Sequence, residues 1–212
     1  MKQNVCIFLC AVGLGFLSLL FITQALAHDW HHGSAEDLVK PISGESIYNL
    51  KTKWTSMDGV DVNLSSLRGQ PLVVAMGYTS CESACPIIVE DIKRIEMSLP
   101  KEARAAVTFA FFSFDSVRDT PERLRAFATM HKLDLKQWWL FQGSPTSVRE
   151  LAAVLGISYK KDPQGNLDHS NIISLIDSNG VIKFQKAGLK QDSKDFLAKL
   201  IELKKPSEGT HY

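Results

Sequence analysis

The order of apolar and polar positions along the chain predicts alternating strands and helices from about residue 47 onward. Short apolar runs rich in β-branched or aromatic residues predict buried strands at 71–78, 107–114 and 138–142. Apolar residues at helical spacing, together with capping residues, predict the intervening helices. The first of these helices is predicted to begin at the cysteines that follow the first strand, Cys81 and Cys85, and to end before Pro100. The other three are predicted at 120–131, 144–156 and 192–204.

A hairpin is predicted near the C-terminus, where Ser178-Asn179-Gly180 separates apolar runs at 171–177 and 181–187. Strands that alternate with helices indicate an α/β sandwich whose first strands are parallel. A terminal antiparallel hairpin and a final helix are what a thioredoxin-like fold requires. The predicted fold is therefore a thioredoxin-like sandwich, with a central mixed β-sheet flanked by helices.

The N-terminal segment 1–27 has the features of an export signal. Lys2 provides a positive charge, residues 5–22 are uncharged and largely apolar, and Ala25-Leu26-Ala27 fits a signal-peptidase site. Cleavage after Ala27 and retention as a membrane anchor through residues 5–22 are the two alternatives, since the apolar stretch is just long enough to span a bilayer. Both predict an exported protein, located in the bacterial periplasm or tethered there to the inner membrane.

Three further segments follow this leader. Residues 28–46 are polar and without periodicity, which predicts a flexible arm. Residues 47–204 form the predicted thioredoxin-like domain, and 205–212 form a short tail. The arm contains His28, His31 and His32; either they are simply solvated, or they form a weak site that collects a metal ion.

Composition narrows the classes of function. Hydrophobic residues make up 45% and charged residues 22% of the chain, which is ordinary for a globular protein. Lysine and arginine number 24 against 23 acidic residues, and no basic run is present. A nucleic-acid partner is therefore not expected.

The cysteines indicate chemistry rather than a structural framework. Of four cysteines, Cys6 and Cys10 lie in the leader, so only Cys81 and Cys85 remain in the predicted domain. A disulfide across so short a loop constrains the unfolded chain little. At the start of the first helix, a spacing of i and i+4 predicts two sulfurs on one helix face, with thiolates favoured by the helix dipole.

Such a pair can form a disulfide or hold one soft metal ion together. Two thiolates with an imidazole suit Cu(I), or copper in both oxidation states, better than hard cations. Zinc would usually require a fourth ligand, and the predicted domain has no third cysteine to supply it.

Several motifs, in a fixed order, resemble the Sco/SenC family. The segment Gly77-Tyr-Thr-Ser-Cys81-Glu-Ser-Ala-Cys85-Pro86 resembles the metal-binding segment of that family. Residues 58–71 and 113–121 resemble two further segments of the family and occur in the expected order along the chain. Asp168-His169-Ser170 resembles the segment that carries the family's metal-binding histidine. The resemblance implies a thioredoxin-like fold and copper ligands at Cys81, Cys85 and His169.

The resemblance also implies a function. Family members help to assemble the copper A centre of cytochrome c oxidase, so a copper metallochaperone for that oxidase subunit or a related copper enzyme is expected. The alternative is a thiol-disulfide oxidoreductase, in which Cys81 attacks a disulfide of the target and Cys85 resolves the mixed disulfide. Two departures from the family pattern are Glu82 and Ser116, where proline is usual. Like-charge repulsion from Glu82 is expected to raise the pKa of Cys81.

Three other residues carry open interpretations. Asp168 either orients the imidazole of His169 or points away from it. Asp115 either lies near the site or serves a turn at the end of the second predicted strand. His131 is predicted to be structural, at the C-terminus of a helix.

Overall fold

A computed structural model describes residues 44–163 and 167–203. The predicted leader, the arm up to residue 43 with its three histidines, and the predicted tail lie outside the described residues. Within the described part of the chain, no helix has the length and apolar character needed to cross a membrane.

Nine strands and five α-helices make up the described residues. The strands are β1 (Lys53–Ser56), β2 (Asp61–Asn63), β3 (Leu72–Gly77), β4 (Thr108–Ser113), β5 (Trp138–Gly143), β6 (Tyr159–Lys161), β7 (Leu167–His169), β8 (Ile172–Ile176) and β9 (Ile182–Ala187). The helices are α1 (Ala84–Ser98), α2 (Lys101–Arg104), α3 (Pro121–Met130), α4 (Pro145–Val154) and α5 (Lys194–Glu202). Short 3₁₀ turns lie at Ile47–Asn49 and Leu64–Leu67.

A seven-stranded mixed sheet forms the centre of the fold, in the order β2-β1-β5-β4-β3-β8-β9. Strands β3, β4 and β5 are parallel, and β8 and β9 form the antiparallel hairpin that the sequence predicts. The hairpin turn includes Gly180 at φ +88°, a conformation that favours glycine. Every residue of β3 is buried, because both faces of the sheet are covered.

Helices cover the sheet on both faces and create two apolar cores. On one face, α1, α3 and α5 pack residues such as Ile88, Phe127 and Phe196 against the sheet. On the other face, α4 and the two 3₁₀ turns pack with Trp54 and Phe112. This arrangement confirms the predicted sandwich, with a mixed sheet between helical layers.

The prediction that both cysteines lie on the first helix is wrong. Helix α1 begins at Ala84, so Cys85 lies in its first turn while Cys81 precedes it in the β3–α1 loop. Pro86 explains the difference: proline lacks an N–H and is tolerated in the first turn of a helix, but not a turn or more inside it. A helix that began at Cys81 would place Pro86 too far into the helix.

Candidate metal centre

Three elements each contribute one residue to a cluster at the C-terminal edge of β3 and β4. Cys81 comes from the β3–α1 loop, Cys85 from the first turn of α1, and His169 from the last position of β7. One ligand atom from each residue lies within 4.8 Å of the other two. Sites gather at this edge of an open α/β sheet because loops and helix N-termini converge there. The structure therefore brings together the three residues that the sequence singled out.

The Cys81 sulfur occupies the position of a helix cap. Ser83, the N-cap residue, makes no side-chain capping bond; instead the backbone N–H of Cys85 donates to Cys81 Sγ over 3.3 Å. Burial alone would raise the pKa of Cys81. Hydrogen bonds from Cys85 and Ser83 outweigh burial and lower the pKa from 9.0 to about 7. This net direction is opposite to the one expected from the neighbouring Glu82.

Cys85 is held in a different environment. Its side chain is buried, and the backbone N–H of Tyr78 donates to its sulfur over 3.4 Å. Burial raises the pKa of Cys85 well above the ordinary value, and the nearby charges of Cys81 and Asp119 raise it further. Cys85 is therefore a neutral thiol in the reduced protein, whereas Cys81 is partly ionised at neutral pH.

Gly77 provides the room that the Cys85 sulfur needs. A Cβ at this position would lie 3.0 Å from Cys85 Sγ and 2.7 Å from Cζ of Phe111. Both contacts are closer than van der Waals packing allows, so the strand can approach the sulfur only with glycine at its last position.

Hydrogen bonding fixes the tautomer of His169. Nδ1 lies 3.2 Å from the carbonyl oxygen of Ser170, which only accepts, so Nδ1 carries the proton and Nε2 is left with a lone pair. Nε2 faces Cys85 Sγ at 3.6 Å. Burial lowers the pKa of His169, which keeps the ring neutral near pH 7 and available as a ligand.

Aromatic rings enclose the imidazole. The ring of Phe114 lies 4.9 Å from that of His169, and the ring of Tyr78 lies 6.2 Å away in an edge-on arrangement. These rings limit the access of water to the cluster and restrict the imidazole to a narrow range of orientations.

The open interpretations of Asp168, Asp115 and His131 are now decided. Asp168 is exposed and raises the pKa of His169 only as a nearby charge, since the ring bonds to Ser170 instead. Asp115 serves a turn, where it accepts the backbone N–H groups of Val117 and Arg118 and pairs with the Arg118 side chain. His131 is the C-cap of α3 and packs on Phe127, as the structural prediction requires.

Sequence reasoning missed three residues that support the cluster: Tyr78, Phe114 and Asp119. Tyr78 and Phe114 end predicted strands, and all three residues lie in segments that resemble the family, but the sequence analysis assigns none of them a role at the cluster. Their contacts with the cluster depend on how distant loops meet, for which the linear pattern carries no signal.

The donor set suits two kinds of chemistry. Two sulfurs and one neutral imidazole nitrogen form a three-coordinate set for a soft metal ion. The same sulfurs, which are free thiols in this structure, also form a pair suited to thiol-disulfide exchange. Glu82 is exposed and does not belong to the cluster.

Fold and site together define a thioredoxin-like protein with a Cys-Cys-His centre beside its first central helix. Residues 46–204 match the profile of the family described as SCO1/SenC. The chain belongs to the SCO1/SenC family, as its motifs indicate.

Curated relatives from the same family are similar to this chain at modest sequence identity. A SCO1 protein homolog of Bacillus subtilis is 27% identical over 130 residues, which span 60% of this chain and 67% of that protein. A SCO2-like protein of Rickettsia prowazekii is 26% identical over 154 residues, which span 66% of this chain and 73% of the Rickettsia protein.

Solved structures show the same fold. A SCO1/SenC family lipoprotein from Bacillus anthracis aligns with a TM-score of 0.66 and 26% identity, over 74% of this chain and 95% of that one. ScoI of Bradyrhizobium japonicum, solved with copper bound, aligns with a TM-score of 0.58 and 24% identity, over 72% and 96% of the two chains.

Proposed function

We propose that this protein is a copper metallochaperone that assists assembly of the copper A centre of cytochrome c oxidase or of a related copper enzyme. The observation that carries the proposal is the cluster of Cys81, Cys85 and His169, whose ligand atoms lie within 4.8 Å of one another. Thiolates and imidazole favour copper over hard cations. Family membership, and the copper held by related structures such as ScoI, support the same metal.

The three ligands of the cluster are suited to bind copper and to release it. The imidazole of His169 is neutral and presents the Nε2 lone pair, and Cys81 gives up its proton near neutral pH. Binding therefore requires that only Cys85 lose a proton against an unfavourable environment. Because Cys81 is 7% exposed and Cys85 is fully buried, an incoming sulfur of the target reaches the Cys81 side first, and ligand exchange begins there.

Copper titration of the purified chain tests the proposal. The wild type is expected to bind one Cu(I) or Cu(II) tightly, and the Cys81→Ser, Cys85→Ser double variant is expected to bind none. His169→Ala is expected to lose tight Cu(II) binding, whereas His131→Ala serves as the matched control because His131 caps α3 away from the cluster. Wild-type Cu(II) affinity in His169→Ala would show that the assigned site is wrong.

A second function, thiol-disulfide oxidoreductase, is favoured by the difference between the two thiols. Cys81 has a pKa of about 7 and some exposure, as an attacking thiol requires, while Cys85 is buried in the first turn of α1, as a resolving thiol requires. The Cys81 thiolate would attack a target disulfide and expel one target thiolate; the Cys85 sulfur would then displace the second, leaving a Cys81–Cys85 disulfide. His169→Ala should retain this reduction, which separates it from copper delivery.

We also propose that the protein acts after export, in the bacterial periplasm. The support lies in the sequence of residues 1–27, with its positive charge, apolar stretch 5–22 and Ala25-Leu26-Ala27. The proposed partner is the oxidase subunit that carries the copper A site, or another exported copper enzyme. Mass measurement of the mature N-terminus from a periplasmic fraction would distinguish cleavage after Ala27 from an intact anchor.

A further inference from the structure

Asp119 is a completely buried acidic residue that neither proposed function uses. It lies between β4 and α3, and its carboxylate accepts three hydrogen bonds. The backbone N–H and the hydroxyl of Thr79 donate over 2.9 and 2.5 Å, and the hydroxyl of Ser113 donates over 2.5 Å. Short O–H···O distances of this kind are typical of a strong, charge-assisted network. A carboxylate is costly to bury, so this arrangement calls for an explanation.

Capping of helix α3 does not explain it. The N-cap of α3 is Thr120, whose own side chain accepts the backbone N–H of Arg123. The Asp119 carboxylate turns away from that helix and bonds to the loop that carries Cys81. Two of its three hydrogen bonds therefore serve the β3–α1 loop, and the third joins it to the end of β4.

Thr79 links Asp119 to both sulfurs. Its neighbour Tyr78 donates its backbone N–H to Cys85 Sγ over 3.4 Å, and the Tyr78 carbonyl accepts the backbone N–H of Cys81 over 3.3 Å. A shift of the Tyr78–Thr79 backbone would therefore change the hydrogen bond to one sulfur and the position of the other. Asp119 holds this backbone through two bonds to a single residue.

We propose that Asp119 is a positioning residue of the cluster: through Thr79 it fixes the turn from Tyr78 to Cys81, and so sets the geometry of the two sulfurs. This inference concerns the same site as the proposed function. Its consequences include the thiol-disulfide equilibrium of the metal-free protein as well as copper binding.

The test compares Asp119→Asn, Thr79→Val and Ser113→Ala in the full chain. In Asp119→Asn, an NH₂ group replaces one of the two acceptor oxygens of the carboxylate. At least one of the groups that donate to Asp119 therefore loses its acceptor. The Cys81–Cys85 disulfide equilibrium with glutathione should change about two- to tenfold in Asp119→Asn, the range expected for one lost hydrogen bond. Thr79→Val should change it in the same direction and by less. Ser113→Ala, the matched control, leaves both Thr79 bonds in place and should remain near wild type.

A spectroscopic readout accompanies the equilibrium. The sulfur-to-Cu(II) charge-transfer band should shift in the same order among the variants, while circular dichroism shows an unchanged fold. An unchanged disulfide equilibrium and band in Asp119→Asn would overturn the proposal, as would an effect of Ser113→Ala equal to that of Thr79→Val. If Asp119→Asn fails to fold, the proposal is tested by comparing the disulfide equilibrium of Thr79→Val with that of Ser113→Ala. If the wild type binds no copper, the metallochaperone proposal fails, and the glutathione equilibrium still tests Asp119.

Discussion

Cys81 and Cys85 lie four positions apart, yet their environments push their pKa values in opposite directions. Cys81 receives the N–H of Cys85 at the open end of helix α1, where the unpaired N–H groups favour negative charge. Cys85 lies inside the first turn, buried against β3, where desolvation favours the neutral thiol. A separation of four residues, from the loop to the first turn of α1, is therefore enough to produce one reactive and one protected thiol.

The pH dependence of alkylation tests this asymmetry in the reduced, metal-free protein. Iodoacetamide is expected to label Cys81 at a rate that rises with pH and reaches half its plateau near pH 7, because only the thiolate reacts. Cys85 should stay unlabelled while the protein is folded. Peptide mapping by mass spectrometry gives the rate at each site and separates Cys81 and Cys85 from Cys6 and Cys10. A midpoint for Cys81 at or above the ordinary value of 9.0 would contradict the assignment.

The small β6–β7 hairpin determines where the imidazole stands. His169 pairs with Tyr159 across this two-stranded sheet, which is separate from the main sheet. The ring of Tyr159 stacks on Phe114 at 5.0 Å, and Phe114 in turn packs against His169. The hairpin is therefore anchored to the end of β4 through aromatic contacts, next to the imidazole that it carries.

Removal of this anchor should weaken copper binding and leave the thiols unchanged. In Tyr159→Ala, we expect Cu(II) affinity to fall about two- to tenfold, the equivalent of one aromatic pair. Competition with a chelator of known affinity provides the measurement. Lys160→Ala is the matched control, because this exposed side chain points to the opposite face of the same strand. Equal affinities for the two variants would show that the stacking does not position His169.

A buried ion pair that is not part of the cluster joins helix α1 to strand β9. Asp91 on α1 is fully buried, 3.6 Å from the Lys186 ammonium on β9, and it also pairs with Arg94. Its carboxylate accepts the backbone N–H of Lys190 over 2.8 Å. Helix α1, which carries Cys85, is thereby fixed to the edge of the central sheet.

Loss of the Asp91 charge should destabilise the molecule. Asp91→Asn leaves the Lys186 charge buried without its partner, and the free energy of unfolding should fall by about 3–5 kcal/mol. Glu90→Gln provides the control: Glu90 pairs with Lys93 at 3.0 Å on the surface, where such pairs contribute about 0–1 kcal/mol. Urea unfolding of both variants checks the difference. A loss in Asp91→Asn no larger than that in Glu90→Gln would show that the buried pair contributes little.

The pattern of apolar residues predicted the elements that are long or deeply buried. The strands β3, β4 and β5 and the helices α3 and α4 follow the predicted intervals closely, because each contributes several side chains to the core. The predictions omitted β1, β2, β6 and β7. These strands have only three or four residues, and most of their positions are partly or fully exposed, so their hydrophobic periodicity is too weak to recognise.

Local sequence was sufficient to identify the order of the longer elements, the isolated cysteine pair and the family, since these depend on neighbouring residues or on motifs. The proximity of His169 to Cys85, 84 positions apart, could be expected only through the family resemblance. The location of Cys81 outside the helix, the unequal thiols and the link from Asp119 to Thr79 emerged from the folded chain. They depend on burial and on hydrogen bonds between segments distant in sequence, and such contacts exist only once the sheet and its loops have packed together.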